Sequence, residues 1–217
     1  MTAKKLWMWL AITVLASFMV LIFYGVEIYR TAPPFPSKIV TTDGEVLYEG
    51  QDIKDGQNVW QSIGGQTVGS IWGHGAYIAP DWTADYLHRE SLLLLEELTK
   101  KDGKTYKDLP EEEQAKYRTL LQKELRTNTF DEETGIITYS PERAKVAKEV
   151  GEYYTKLFMG DPSLKSTRLS YAIQDKAIKD PQRMEQMNAF FAWSTWVCIT
   201  NRPNDDVTYT NNWPHDP

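Results

Sequence analysis

Three histidines, one cysteine and two short runs of carboxylates are the residues of this chain best suited to chemistry. His74, His88 and His215 never stand at the i, i+4 spacing that sets two imidazoles on one helical face, and no His-Glu-x-x-His occurs. His88 falls in a charged helical pattern and His215 close to the chain end, so both are expected in solvent. His74, between Gly73 and Gly75, is the one placed for a polar contact to a neighbouring subunit. Cys198 recurs on an apolar helical face and reads as a small core residue; as the only cysteine it excludes an internal disulfide and any Cys-rich metal site. Glu111–Glu113 and Asp131–Glu133 read as helix-start and turn charges, not acid/base pairs. No Ser-His-Asp order, nucleophile elbow or phosphate-cradling loop is found. The expectation is that no catalytic residue lies in this chain.

The most distinctive stretch is glycine-rich and aromatic. Gly56-Gln57-Asn58-Val59-Trp60-Gln61-Ser62 reads as the end of a short helix. Ile63-Gly64-Gly65-Gln66-Thr67 follows, and then Trp72-Gly73-His74-Gly75-Ala76-Tyr77-Ile78-Ala79-Pro80-Asp81-Trp82. A c-type cytochrome opens in a similar way, with a short helix, Cys-x-x-Cys-His and a loop over the haem. Here Ser62-Ile63-Gly64-Gly65-Gln66 fills the place of that motif, so both thioether anchors and the axial histidine are missing. The reading is a cytochrome c-shaped domain that binds no haem. Trp60, Trp72, Trp82, Phe190 and Trp193 read as core aromatics, not as a cofactor box.

The elements that must hold this stretch are mainly helical. Residues 1–30 form the first segment: Lys4 and Lys5, then an uncharged run from Leu6 to Val26, long enough to cross about 30 Å of hydrocarbon. Trp7 and Trp9 at one end, and Tyr24 and Tyr29 at the other, suit the two interfaces. The two lysines put the N-terminus in the cytoplasm and the remainder outside the cytoplasmic (inner) membrane, in a periplasm or its equivalent. A cleaved signal peptide fits less well, because the run is long and no small-x-small site follows. Residues 31–50 form a proline-rich stalk and a small β-hairpin turning at Asp43-Gly44. Residues 51–217 form the extracytoplasmic domain. Its helices are expected from an Asp52 cap to about Ser62, from Trp82, behind an Asp81 cap, to about Leu98, from Pro110 to about Arg126, and after Ser140 and Asp180. The first and last of these are expected to cross, with Gly56 allowing close approach. The leucine-rich and charged helices between them read as an insertion that faces solvent on its outer side, with a short strand or hairpin within residues 128–138. The net charge of −6 argues against nucleic acid as a partner.

Several long strings carry a family resemblance. The segment Gly56–Asp85, with Gly73-His74-Gly75-Ala76-Tyr77-Ile78-Ala79-Pro80-Asp81-Trp82-Thr83-Ala84-Asp85, is similar to the N-terminal region of quinol-dependent nitric oxide reductase. So are Phe190-Phe191-Ala192-Trp193, Thr200-Asn201-Arg202-Pro203 and Tyr209-Thr210-Asn211-Asn212-Trp213-Pro214. The resemblance runs essentially from anchor to tail. It implies a membrane oxidoreductase of the haem-copper superfamily that reduces two nitric oxide molecules to nitrous oxide, with a quinol as electron donor. It also implies a partner bundle of membrane helices carrying two b-type haems and a non-haem iron, as a continuation of this polypeptide or a separate one. Trp72, His74, Tyr77, Trp82 and Trp213 are then expected at the interface to that bundle, with His74 near a haem propionate. Gly75 and Tyr77 are implied contacts to a calcium ion. The competing reading is a stand-alone membrane-tethered binding or assembly module; a c-type cytochrome with unusual ligation is a third.

Overall fold

A computed structural model of the chain describes residues 2–211 and divides into two compact units, Met1–Pro34 and Phe35–Pro217. In the first unit α1 spans Ala3–Thr31, 29 residues of which none is buried. At about 1.5 Å per residue it exceeds the ~30 Å of a bilayer core. Its large apolar side chains point outward on every side, from Leu6 to Ile28. Water penalises such a surface and hydrocarbon does not, so α1 is a candidate membrane span. The helix stops where Pro33 forces the preceding Ala32 into an extended conformation, φ −61°, ψ 143°.

The second unit is mainly helical with one small sheet. β1 (Lys38–Thr41) and β2 (Val46–Glu49) form the expected antiparallel hairpin, with Gly44 at φ +84° in its turn. The hairpin is not a separate stalk element. β1 also pairs in parallel with β4 (Ile136–Tyr139), and β3 (Phe130–Asp131) pairs antiparallel with β4, giving the order β2-β1-β4-β3. A parallel partner needs a long crossover, which is why pairing across some hundred residues is not legible locally. Ile39, Ile137 and Tyr139 point from this sheet into the core.

α2 spans Gly50–Ser62, and its cap position falls three residues before Asp52. Glu49 is its flanking residue, and Asp52 lies in the first turn, where the helix dipole favours its charge. α3 (Trp82–Lys100), α5 (Pro141–Met159) and α7 (Pro181–Ile199) begin on true side-chain caps. Asp81 accepts from the Ala84 N–H, Ser140 from Arg143 and Asp180 from Gln182. α4 spans Glu111–Arg126, with three glutamates in its first turn. A short α6 (Lys165–Ser170) follows α5.

α7 is the centre of the unit. From Met187 to Thr200 every residue is buried, so it is not the one-sided amphipathic helix that the Met184–Cys198 periodicity suggests. Two polar side chains tie it to its neighbours: Asn188 donates to the Gly151 carbonyl at 3.2 Å and Thr200, just past its end, to the Leu125 carbonyl at 3.1 Å. α2 crosses it at Gly56, where a Cβ would lie 1.9 Å from the Gln186 carbonyl oxygen. No residue but glycine fits there. The middle helices are not an appendage. Leu94 of α3, Leu121 and Leu125 of α4, and Val146, Tyr154 and Leu157 of α5 belong to one continuous core with α2 and α7. Their outer faces stay wet, as at Leu92, 47% exposed.

Candidate functional site: an aromatic loop anchored on Asp81

The loop between α2 and α3 is rigid at its base and exposed at its tip. The base is organised by one carboxylate. Asp81 Oδ2 accepts from Ser70 Oγ at 2.6 Å and from the Gly73 N–H at 2.7 Å. Its Oδ1 accepts from the Ala84 N–H at 3.0 Å and from the Thr83 hydroxyl. Thr83 Oγ1 in turn accepts from the Trp72 N–H at 3.2 Å. The helix cap and the loop clamp are therefore the same side chain. Sequence reasoning identifies Asp81 as a cap but not as a clamp, because Ser70 and Gly73 reach it only once the loop folds back.

Tryptophans fasten the base to the helices. Trp60 Nε1 donates to the Gly69 carbonyl at 3.2 Å, and Trp72 Nε1 donates to the Ser194 carbonyl of α7 at 2.9 Å. Trp72 also lies 5.8 Å from Trp193, which in turn stacks on Phe35 at 4.2 Å. Trp72 holds φ +59°, a left-handed conformation uncommon for a large residue; its hydrogen bonds and ring contacts hold it there. Gly69, at φ +145°, lets the chain pass over the Trp82 indole, where a Cβ would meet Nε1 at 2.1 Å.

Trp82 does not lie at the surface expected for it. It is 1% exposed and stacks on Phe191 at 5.9 Å, with Tyr154, Phe158 and Tyr171 edge-on at 6.1, 5.4 and 6.1 Å. As the first residue of α3, its side chain enters the crevice between α5 and α7 and cannot also face a partner. Ile71, 6% exposed, is likewise interior. The outward tip is shorter. Tyr77 is 97% exposed and Ile78 59%, and His74 and Gly75 are also exposed. His74, Gly75, Ala76 and Tyr77 line an open groove of about 460 Å³ together with Gln66 and Thr67. Trp213, the remaining expected contact, and His215 lie outside the described residues. His88 is exposed.

The stretch in the place of a haem motif offers nothing to a haem. Ser62 Oγ accepts from Arg183 Nη2 at 2.7 Å at the edge of a small surface cavity, Gly65 has no side chain, and Gln66 is exposed. The ring cluster around Trp82 fills the interior beside α7. With no cysteine or histidine at positions 62–66, the residues there do not fit a covalently held haem. Among the described residues no group of three His, Cys, Asp or Glu side chains comes together. Cys198 is buried, and loss of solvent pushes its thiol up to about 12, so it is a neutral packing group. The Tyr86 and Tyr154 phenols are pushed well above their ordinary value, chiefly by burial. The loop is a hydrogen-bonded base with an exposed aromatic and aliphatic tip.

Comparison with known proteins bears on what that surface meets. The family described as the cytochrome c-like domain of the nitric oxide reductase NorB matches residues 36–215. No curated protein matches the chain significantly.

Proposed function

This chain belongs to the NorB cytochrome c-like domain family of nitric oxide reductases, and we propose that it is the haem-free outer domain of a quinol-fed nitric oxide reductase. In this reading it caps a catalytic bundle of membrane helices that holds b-type haem and a non-haem iron. The cofactors there supply the chemistry: two nitric oxide molecules, two electrons and two protons give nitrous oxide and water. The residues of this chain bind and exclude. The tip from His74 to Ile78 seats on the bundle and excludes water there, and Trp72 and Asp81 keep that tip in one shape. α1 holds the assembly in the cytoplasmic membrane with its N-terminus inside and the domain outside, because Lys4 and Lys5 precede the span.

One observation carries the proposal. The position of a haem-binding motif is taken by Ser62-Ile63-Gly64-Gly65-Gln66, while Trp82 and its ring neighbours pack the interior. A domain of cytochrome c type without haem cannot pass electrons on from a soluble cytochrome, which leaves a quinol as the donor to the bundle. The Gly75 carbonyl and the Tyr77 hydroxyl would supply two of the six to eight oxygens that a calcium ion takes, the others coming from the partner.

The test is to purify the chain with its catalytic bundle and follow nitric oxide consumption with two donors. Reduced quinol should sustain turnover and reduced cytochrome c should not; the chain purified alone should show no c-type haem absorbance. Turnover with cytochrome c alone, or a Soret band carried by this chain, would overturn the reading.

A further inference from the structure

The core contains a polar cluster for which the docking role has no use. Arg143 of α5 and Glu90 of α3 form an ion pair at 2.8 Å, from Nε to Oε1, with side-chain exposures of only 3% and 1%. The Tyr139 ring lies against the guanidinium at 4.3 Å. Burial works against the charge on Arg143, and the attraction of Glu90 outweighs it, so the guanidinium is held firmly protonated. The pair is only half satisfied. Glu90 Oε2 and Arg143 Nη2 are buried and have no protein partner, and neither does the hydroxyl of Tyr86. Tyr86 and Glu90 stand four residues apart on α3 and so share a face of that helix. Burial first, and then the neighbouring Tyr48 and Glu90, push the Tyr86 phenol well above its ordinary value.

Groups of this kind are not left dry. A buried charged oxygen or nitrogen without a hydrogen bond is costly, and native interiors almost always supply a protein or water partner. Arg143 forms part of the wall of a cleft of about 470 Å³, whose other polar lining includes Thr138, Ser140 and Lys123. A site holds internal water when it is polar, roomy enough and offers several hydrogen-bond partners. Glu90 Oε2 accepts only, Arg143 Nη2 donates only, and the Tyr86 hydroxyl does both. A molecule bridging them must therefore both donate and accept, and be small and uncharged.

We infer that Tyr86, Glu90 and Arg143 form a binding site for internal water, entered from the cleft beside the N-terminus of α5. The water completes the half-satisfied ion pair and ties α3 to α5 across the core.

A density map of the full chain, at a resolution that orders internal solvent, tests this directly. A solvent peak within hydrogen-bond distance of Glu90 Oε2 and Arg143 Nη2 is expected in the native protein and also in Tyr86→Phe. A dry interior, with the Tyr86 hydroxyl turned onto Glu90 Oε2, would overturn the inference. In solution, water-proton or deuteron relaxation dispersion reads long-lived internal water. Its amplitude should fall in the double variant Glu90→Met/Arg143→Met relative to the native chain, once circular dichroism has shown that the variant is folded. An unchanged amplitude in that folded variant overturns the inference; if the variant does not fold, the map decides.

Discussion

Asp81 carries more of this site than any aromatic does. It closes the first turn of α3 and fixes Ser70, Gly73 and Thr83 around one carboxylate. Asp81→Ala should cost about 2–4 kcal/mol of stability, a cap worth about 1 and charged hydrogen bonds worth the remainder. Thermal unfolding measures this, and amide exchange at Gly73 should quicken at the same time. Arg143→Met should cost about 3–5 kcal/mol, because it strands the Glu90 carboxylate, whereas replacing both partners by methionine should recover most of the loss. Cys198 gives a pH signature. Its thiol is raised from 9.0 to about 12 by burial, so the folded state prefers the neutral form. The associated stability is complete below pH 9.0 and is lost as the pH rises toward 12. At pH 8 a thiol reagent should label Cys198 only after unfolding. At this scale the sequence is a good guide to Cys198, whose place on an apolar helical face already marks it as a core residue. It is a poor guide to which tryptophan faces outward, because Trp72 and Trp82 stand in similar local settings.

At the scale of elements, the crossing of α2 and α7 decides the packing. Gly56→Ala places a methyl group against the Gln186 carbonyl, backbone that cannot move without shifting α7. Overpacking of this sort costs about 1–3 kcal/mol, which denaturant unfolding would show. That crossing is readable from a glycine one turn before a tryptophan. The role of α7 is not, because its periodicity marks one apolar face while Ala189, Ala192 and Trp196 on its other side are equally buried. The middle helices are clasped at their outer edges by Lys145 on Glu97 at 2.6 Å and Lys101 on Glu142 at 2.5 Å. Each lysine holds its glutamate below the ordinary carboxylate value. These clasps therefore add stability at pH above 4.5, and that contribution fades as the pH falls below it. Both are solvent-exposed pairs and weak, so their part of the acid-induced loss should shrink in molar salt, where screening is short-ranged.

For the whole molecule, the division at Pro34 makes a clear prediction. Removing residues 2–34 should release the remainder from the membrane fraction into solution with its helical circular dichroism intact. The full chain should stay with membranes through alkaline carbonate washing. Retention of the shortened chain by the bundle, and loss of that retention in Tyr77→Ala, would tie the exposed tip to docking. A tip without a partner would leave binding unchanged in that variant. Tyr77 is the residue for this test because it is 97% exposed, so its loss should move stability by less than about 0.5 kcal/mol.

Local regularities were enough to determine an apolar span of membrane length, the caps at Asp81, Ser140 and Asp180, the hairpin at Gly44, and the absence of haem ligands between Ser62 and Gln66. Each depends on residues within a few positions of one another, so chain order alone exposes it. Folding in three dimensions decided what depends on distant residues: β1 beside β4, α7 buried on every side, Trp82 drawn inside and Tyr77 left outside, and Glu90 facing Arg143. Burial is shared among segments far apart in the chain, and a side chain's own neighbours in sequence do not say which of those segments will cover it.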